Sequence, residues 1–208
     1  MSANRDETER VRRHYDRRAG DYDRLIAPFE RVLFGAGREW ACSRARGEVL
    51  EIAVGTGRNL PFYPADVRLT GIELSPEMLA FARRRARESG IEVDLRAGDA
   101  QDLPFPDAHF DTVVATLALC TIPDDHQAVA EAARVLRPSG RLLLLEHVRS
   151  PILPVRVLQG ILNPLSVLLE NDHLLREPLR HVEDAGLVVE SLERSKWGIV
   201  ERLTAYRP

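Results

Sequence analysis

The chain has 208 residues, 44% hydrophobic content and a formal net charge of −3. This profile fits one globular domain able to bury its own core. It supplies no basic field to recruit nucleic acid. No apolar run nears the roughly 20 residues of a membrane span, and the polar N-terminus lacks the apolar segment of a secretory signal. The expected location is therefore cytoplasmic, with contact at a membrane surface left open. Cys42 and Cys120 have no metal-ligand spacing, so no metal is expected, and two thiols suit a reducing compartment.

Residues 1–9 read as frayed and polar. A helical pattern runs from about Thr8 to Ser43, with breaks expected near Ala27-Pro28 and Gly35-Ala36-Gly37. Within it, His14-Tyr15-Asp16 and Asp21-Tyr22-Asp23 each set a tyrosine beside acid, which fits either surface helices or a lid. Val49-Leu50-Glu51-Ile52 reads as the first buried strand. Gly55 and Gly57 then allow a tight turn that a ligand can approach. A helix is expected to start after this turn and to offer free N–H groups. Residues 67–73 read as a second strand. Ser75 as N-cap and Pro76 at the first position open a helix, whose core stripe is Met78, Leu79, Ala82 and Ala86 and whose terminator is Gly90.

Residues 91–97 form the third predicted strand, Gly98-Asp99-Ala100 a turn, and residues 110–116 the fourth strand. Asp124 with Gln127 makes a capping-box pattern, on a helix with Val129, Ala132, Ala133 and Leu136 buried. Arg137-Pro138-Ser139-Gly140 is a turn by composition. Leu142 to Leu145 reads as a central strand covered on both faces, ending in Glu146-His147. Residues 150–169 are apolar but interrupted by Pro151, Pro154 and Pro164, and match neither a clean helix nor a strand. A helix over 174–185 and strands over 187–192 and 199–206 complete the chain. The alternation predicts an α/β fold with a doubly wound, mostly parallel seven-stranded sheet and an antiparallel edge hairpin.

The glycine turn lies where such sheets bind ligands. Leu60 occupies the place of the third glycine in the dinucleotide fingerprint. Glu73 suits ribose hydroxyls in a nicotinamide or another adenosine cofactor, and Asp99 suits an adenine amino group. Together with Phe110-Asp111 and Arg134-Val135-Leu136-Arg137-Pro138-Ser139-Gly140, these residues strongly resemble the class I S-adenosylmethionine-dependent methyltransferases over about residues 47–147. The departure is Ala53, where that family usually has glycine; tighter packing rather than lost binding is expected. The resemblance implies a Rossmann-like core at 47–208 under an N-terminal helical lid at 1–46. It implies S-adenosylmethionine as cofactor and S-adenosylhomocysteine as product. By the same resemblance, Glu51, Ala53, Gly55 and Gly57, with Asn59 in the same loop, would surround the methionine end. Glu73 would hold the ribose, Leu74 and Met78 the adenine face, and Asp99 and Ala100 its edge. Thr116 and Leu117 would lie near the reactive methyl, under Tyr15 and Tyr22 of the lid.

The stretches from Gly55 to Pro64, from Leu117 to Ile122 and Glu146-His147-Val148 are similar to small-molecule thiol methyltransferases and bacterial phosphatidylethanolamine N-methyltransferases, and more distantly to quinone C-methyltransferases. The resemblance implies an in-line methyl transfer to a small, apolar acceptor: a thiol, hydroxyl, amine or lipid headgroup. A base is needed only for a protonated acceptor, and His147 is the candidate; a histidine bonded to a neighbouring loop is the competing reading. Asp172 and His173 are candidates for the acceptor site. Residues 151–169 could serve the acceptor, a membrane surface or core packing. A nicotinamide-dependent oxidoreductase and a non-catalytic cofactor-binding module are the alternatives, and no sequence feature sets an oligomeric state.

Overall fold

Buried residues alternate along the central strands, and that alternation sets the architecture. Leu50, Ile52, Val113, Leu142 and Leu144 enter one core cluster, whereas Val49, Val114, Leu143 and Leu145 enter another. Side chains of period two facing opposite ways thus need cover on both faces. The computed structural model of the chain describes residues 2–208, with side chains from Arg5 on. It places β1 (Glu48–Ile52), β2 (Arg68–Glu73), β3 (Asp94–Ala97), β4 (Phe110–Thr116), β5 (Leu136–His147), β6 (Val188–Ser195) and β7 (Val200–Tyr206) in one sheet. The order is β3-β2-β1-β4-β5-β7-β6. β7 runs antiparallel to both β5 and β6, and the remaining pairings are parallel. The fold is the expected Rossmann-like, mostly parallel seven-stranded sheet with an antiparallel edge.

The helices are α1 (Ser2–Arg18), α2 (Tyr22–Leu33), α3 (Gly37–Cys42), α4 (Pro76–Ser89), α5 (Asp125–Val135), α6 (Leu153–Glu170) and α7 (Pro178–Asp184). The predicted N-caps form, but the capping box at Asp124 does not close, because its N–H donates to Gln101 rather than Gln127. The Ser75 side chain accepts from the Met78 N–H, the Asp124 side chain accepts from the Gln127 N–H, and Gly90 closes α4 at a φ of 64°.

Several expectations are corrected. α1 begins at Ser2 rather than after a frayed stretch, held by Arg12–Glu9 and Arg12–Asp16 pairs one turn apart; Met1 lies outside the described residues. The first break falls between α1 and α2, while Pro28 sits inside α2. Only a 3-10 turn, Leu60–Phe62, follows the glycine turn. Pro64 forces Tyr63 into extended backbone, which ends that turn. Arg137 to Gly140 belongs to β5 rather than to a free turn, with a register shift opposite Phe110–Thr112. The third strand is shorter than read, and α7 starts only at Pro178, because proline is favoured in a first turn and disfavours helix at the residue before it. The largest correction is α6, an unbroken helix of 18 residues. Pro154 stands in its first turn, where no hydrogen bond is lost, and Pro164 lies within it. Among the described residues, no helix is long and apolar enough to cross a membrane.

Candidate active site

Chain order reverses at β1, which pairs with β2 on one side and β4 on the other. The loops leaving the carboxyl ends of β1 and β4 diverge there, which is where doubly wound sheets hold ligands. A cavity with about 650 Å³ of empty volume opens at this point. Ala53, Gly55, Glu73, Leu74, Met78, Asp99, Ala100 and Leu117 line it, and Tyr15 and Tyr22 close it from the helical segment. The structure brings these residues, far apart in sequence, around one cavity.

Glu73 is the cavity's buried carboxylate. The Gly55 N–H donates to one oxygen at 2.8 Å and the Ser75 N–H to the other at 2.9 Å. Burial pushes its pKa up and these backbone donors oppose that without cancelling it. Each carboxylate oxygen keeps a further lone pair for a hydroxyl donor. A Cβ on Gly55 would make only ordinary contacts, with the Met78 methyl at 3.7 Å and the Ala53 carbonyl at 4.0 Å, so the absence of a side chain leaves the loop backbone open to the cavity. Gly57 works differently: a Cβ there would strike Leu60 at 2.9 Å and Ala82 at 3.1 Å. It lets the loop pack on α4 and does not line the cavity. Ala53 and Leu117 hold left-handed backbone, at φ of 52° and 54°. Such strain in non-glycine residues clusters where structure is committed to a site.

Asp99 is already engaged, because its Oδ1 accepts from the Gln101 N–H and side-chain amide, each at 2.9 Å. Gln101 was not predicted, yet it lines the cavity. Its amide donates to Thr8 of α1 at 3.1 Å and its carbonyl oxygen accepts from the Asp124 N–H at 3.0 Å. Asp16 accepts from the Ser75 hydroxyl at 2.6 Å, and Asp23 accepts from Thr56 at 2.6 Å and pairs with Arg85. The acids beside Tyr15 and Tyr22 therefore anchor α1 and α2 over the strand ends. Helical spacing on α1 (Thr8, Arg12, Tyr15, Asp16) was the available signal.

Glu51, Asn59 and Thr116 do not line this cavity. They form a buried network behind it, with Glu51 accepting from Asn59 and from the Tyr63 hydroxyl, each at 2.9 Å. Thr116 accepts from Asn59 and Arg38, both at 2.8 Å. Glu51, expected around the methionine end, is placed behind the cavity wall, with one internal donor on each carboxylate oxygen. Burial pushes its pKa up to about 7, against the pull of Tyr63, Arg38 and Asn59. Ionisation thus costs more in the folded than in the unfolded chain, so Glu51's contribution to stability is present at low pH and lost as pH rises to about 7. The expected loss is on the order of 3 kcal/mol. Glu51→Gln should therefore gain melting temperature relative to wild type as pH rises from about 4.5 to about 7, with the difference level above that. A pH-independent difference between the two melting curves would show that Glu51 does not titrate there.

A second cavity, with about 1220 Å³ of empty volume, shares Tyr15, Tyr22, Leu117 and Thr121 with the first. Its far side holds Cys120, His147 and Asp172, and its mouth holds Leu25 and Phe29 of α2 and Ser166 and Glu170 of α6. His147 Nε2 lies 2.7 Å from Asp172 Oδ1, and the buried Nδ1 has no partner among the described residues. Burial lowers the His147 pKa, but the bond to Asp172 and the charges of Asp172 and Glu146 outweigh it, and the net shift is upward. Burial and the nearby Asp172 and Glu146 carboxylates hold Cys120 far up, as a thiol. His173 gives its N–H to the Cys120 carbonyl at 2.9 Å and does not line the cavity. Glu146 accepts from the N–H groups of Ala118 and Leu119 at 2.9 and 3.0 Å, fixing the loop that separates the two cavities.

The sequence and fold match known proteins. A family model described as a methyltransferase domain covers residues 50–144. A phosphatidylethanolamine N-methyltransferase of Cereibacter sphaeroides is 47% identical over 103 residues, 49% of this chain and 51% of that protein. This chain thus spans about half of that relative's length. A human thiol S-methyltransferase is 30% identical over 170 residues, covering 79% of this chain and 70% of its own. A methyltransferase structure from Thermotoga maritima superposes with a TM-score of 0.72 at 23% identity, over 94% of this chain and 99% of that one. Sequence match and fold lead to one assignment: the chain belongs to the class I S-adenosylmethionine-dependent methyltransferases.

Proposed function

We propose that the protein moves a methyl group from S-adenosylmethionine in the first cavity to a small, apolar acceptor in the second. The observation that carries this reading is the common wall: Tyr15, Tyr22, Leu117 and Thr121 line both cavities. Bound there, S-adenosylmethionine supplies an electrophilic sulfonium methyl that an in-line nucleophile can take. Glu73 accepts the ribose hydroxyls. Leu74, Met78 and Ala100 form the apolar faces around the adenine, and Asp99 holds its edge together with Gln101. Gly55 and Ala53 pass beside the methionine end, and Glu51, Asn59 and Thr116 stiffen that loop from behind.

Helices α1 to α3, at residues 1–46, act as the lid, and Tyr15 and Tyr22 exclude water from the transfer. The protein's contribution is alignment and a dry site. With Nε2–H of His147 bonded to Asp172, Nδ1 is the nitrogen left to take a proton from an acceptor thiol, phenol or ammonium. The partner is a small molecule rather than nucleic acid, met in the cytoplasm or at a membrane surface. No metal is assigned a role.

Isothermal titration with S-adenosylmethionine, S-adenosylhomocysteine and NAD tests the cofactor. Binding of the first two without NAD is expected, and NAD binding alone would overturn the reading. A panel of thiols, phenols, amines, phospholipids and quinols, scored by S-adenosylhomocysteine release, tests the transfer. Cofactor binding without release for every acceptor would favour a non-catalytic module.

A further inference from the structure

Helix α6 is inside out. Its polar residues recur every three or four positions, at Gln159, Asn163 and Ser166, and this stripe faces the protein. Gln159 is buried, accepts from the Ser150 N–H at 2.8 Å and donates to the Val148 and Leu174 carbonyls at 2.9 and 3.0 Å. Asn163 accepts from the Leu174 N–H at 2.8 Å. The opposite face carries Val157, Leu158, Ile161, Leu165 and Leu168 in solvent, with Ile161 70% and Leu168 79% exposed. A helix on a globular surface normally turns its apolar stripe inward, and apolar patches this extensive mark interaction surfaces.

Three observations identify the occupant. First, Leu25 and Phe29 of α2 are also exposed, and they line the second cavity together with Ser166 and Glu170 of α6. Second, the acids of α2 and α6 are occupied: Asp23 pairs with Arg85, Glu30 with Arg58 and Glu170 with Arg18. Among the described residues, Arg31 of α2 and Arg156 of α6 have no such partner, so the free charge on these two helices is cationic. Third, Trp197 is 70% exposed beside the start of α6, where its carbonyl accepts from the Ser150 hydroxyl and a Cβ on Gly198 would meet Pro151. Exposed aliphatics, unpaired arginines on the same helices and an indole at one end are the composition of a helix lying in a bilayer interface. Protein interfaces are instead richer in aromatics, and leucine is under-represented among their hot spots.

The geometry points to the α2–α6 face as a docking surface for an anionic lipid bilayer, which delivers a membrane-dissolved amphiphile to the mouth between Leu25, Phe29 and Ser166. The delivery route rests on the methyl-transfer reading; the docking does not.

The test is co-sedimentation of the full chain with vesicles of phosphatidylcholine alone and of phosphatidylcholine mixed with phosphatidylglycerol. Binding to the mixed vesicles is expected, and it should weaken with salt. The variant Ile161→Asp/Leu168→Asp should bind about tenfold less or weaker. Both sites are exposed and outside the two cavities, so the variant should keep the wild-type melting curve and S-adenosylmethionine affinity. Wild type left in the supernatant with both vesicle types would overturn the proposal, as would a variant that binds like wild type. A wild-type dimer that the variant dissociates, with no vesicle binding, would assign the face to a second copy and overturn it too. Failure of wild type to bind S-adenosylmethionine, with vesicle binding intact, would sink the methyl-transfer reading alone.

Discussion

Glu73→Gln is expected to weaken S-adenosylmethionine binding by about a hundredfold or more in isothermal titration. The magnitude follows from what the carboxylate does. Its two oxygens take the Gly55 and Ser75 N–H groups and, in the proposed complex, two ribose hydroxyls. Hydrogen bonds to a charged group contribute about 1.5–3 kcal/mol each. The amide offers one oxygen and one NH₂, so the NH₂ must face either the Gly55 or the Ser75 N–H, donor against donor. Both of those N–H groups belong to the loops that shape the cavity, so the variant loses ligand contacts and loop geometry together. Because the folded carboxyl has a raised pKa and only its ionised form accepts at every site, wild-type affinity should also fall on acidification, and the variant should lose that pH dependence. Wild-type affinity in the variant would remove Glu73 from the cofactor site.

Much of this site was legible because the fold repeats a local grammar. Strand runs such as Val49 to Ile52, caps such as Ser75 and Asp124, and an acid at the end of β2 are set by nearest-neighbour chemistry. The doubly wound topology then fixes where their ends meet. What was not legible depends on long-range contacts. Glu51 at a strand end gives no local sign of the Asn59 and Tyr63 donors that fold back onto its two oxygens. Gln101 has no motif; its place comes from Thr8, Asp99 and Asp124 meeting around one amide. Helix α6 failed for a different reason. Its prolines suggested breaks and its apolar content hid the period, because the polar residues mark the inner face. Reading Gln159, Asn163 and Ser166 as the inward-facing stripe would have found the helix. That reading requires accepting polar inward and apolar outward, against the usual rule for a water-soluble surface.

Replacing His147 with alanine should lower kcat by about 10²–10⁴-fold for an acceptor that arrives protonated, and leave S-adenosylmethionine affinity unchanged, since His147 lines only the second cavity. A loss of rate alone would not separate a base from a packing residue, so the pH profile decides. A base acts in its neutral form, and kcat/KM must rise with pH through the histidine's pKa. Burial pulls that pKa down, but Asp172 at 2.7 Å carries it above the ordinary value, which places the rising limb of wild type above about 6.5. Asp172→Asn removes the charge and leaves burial in control, so the limb should move to lower pH, with a smaller rate loss than in the alanine variant. Asp172 then acts as a positioning residue: it keeps the proton on Nε2 and leaves Nδ1 free for the acceptor. A pH profile unchanged by Asp172→Asn would show that the pair only holds the loop after α6 to the end of β5. An acceptor already deprotonated in water should show neither the rate loss nor the limb. Comparing a thiol with a neutral amine on the same variants would therefore expose which atom receives the methyl.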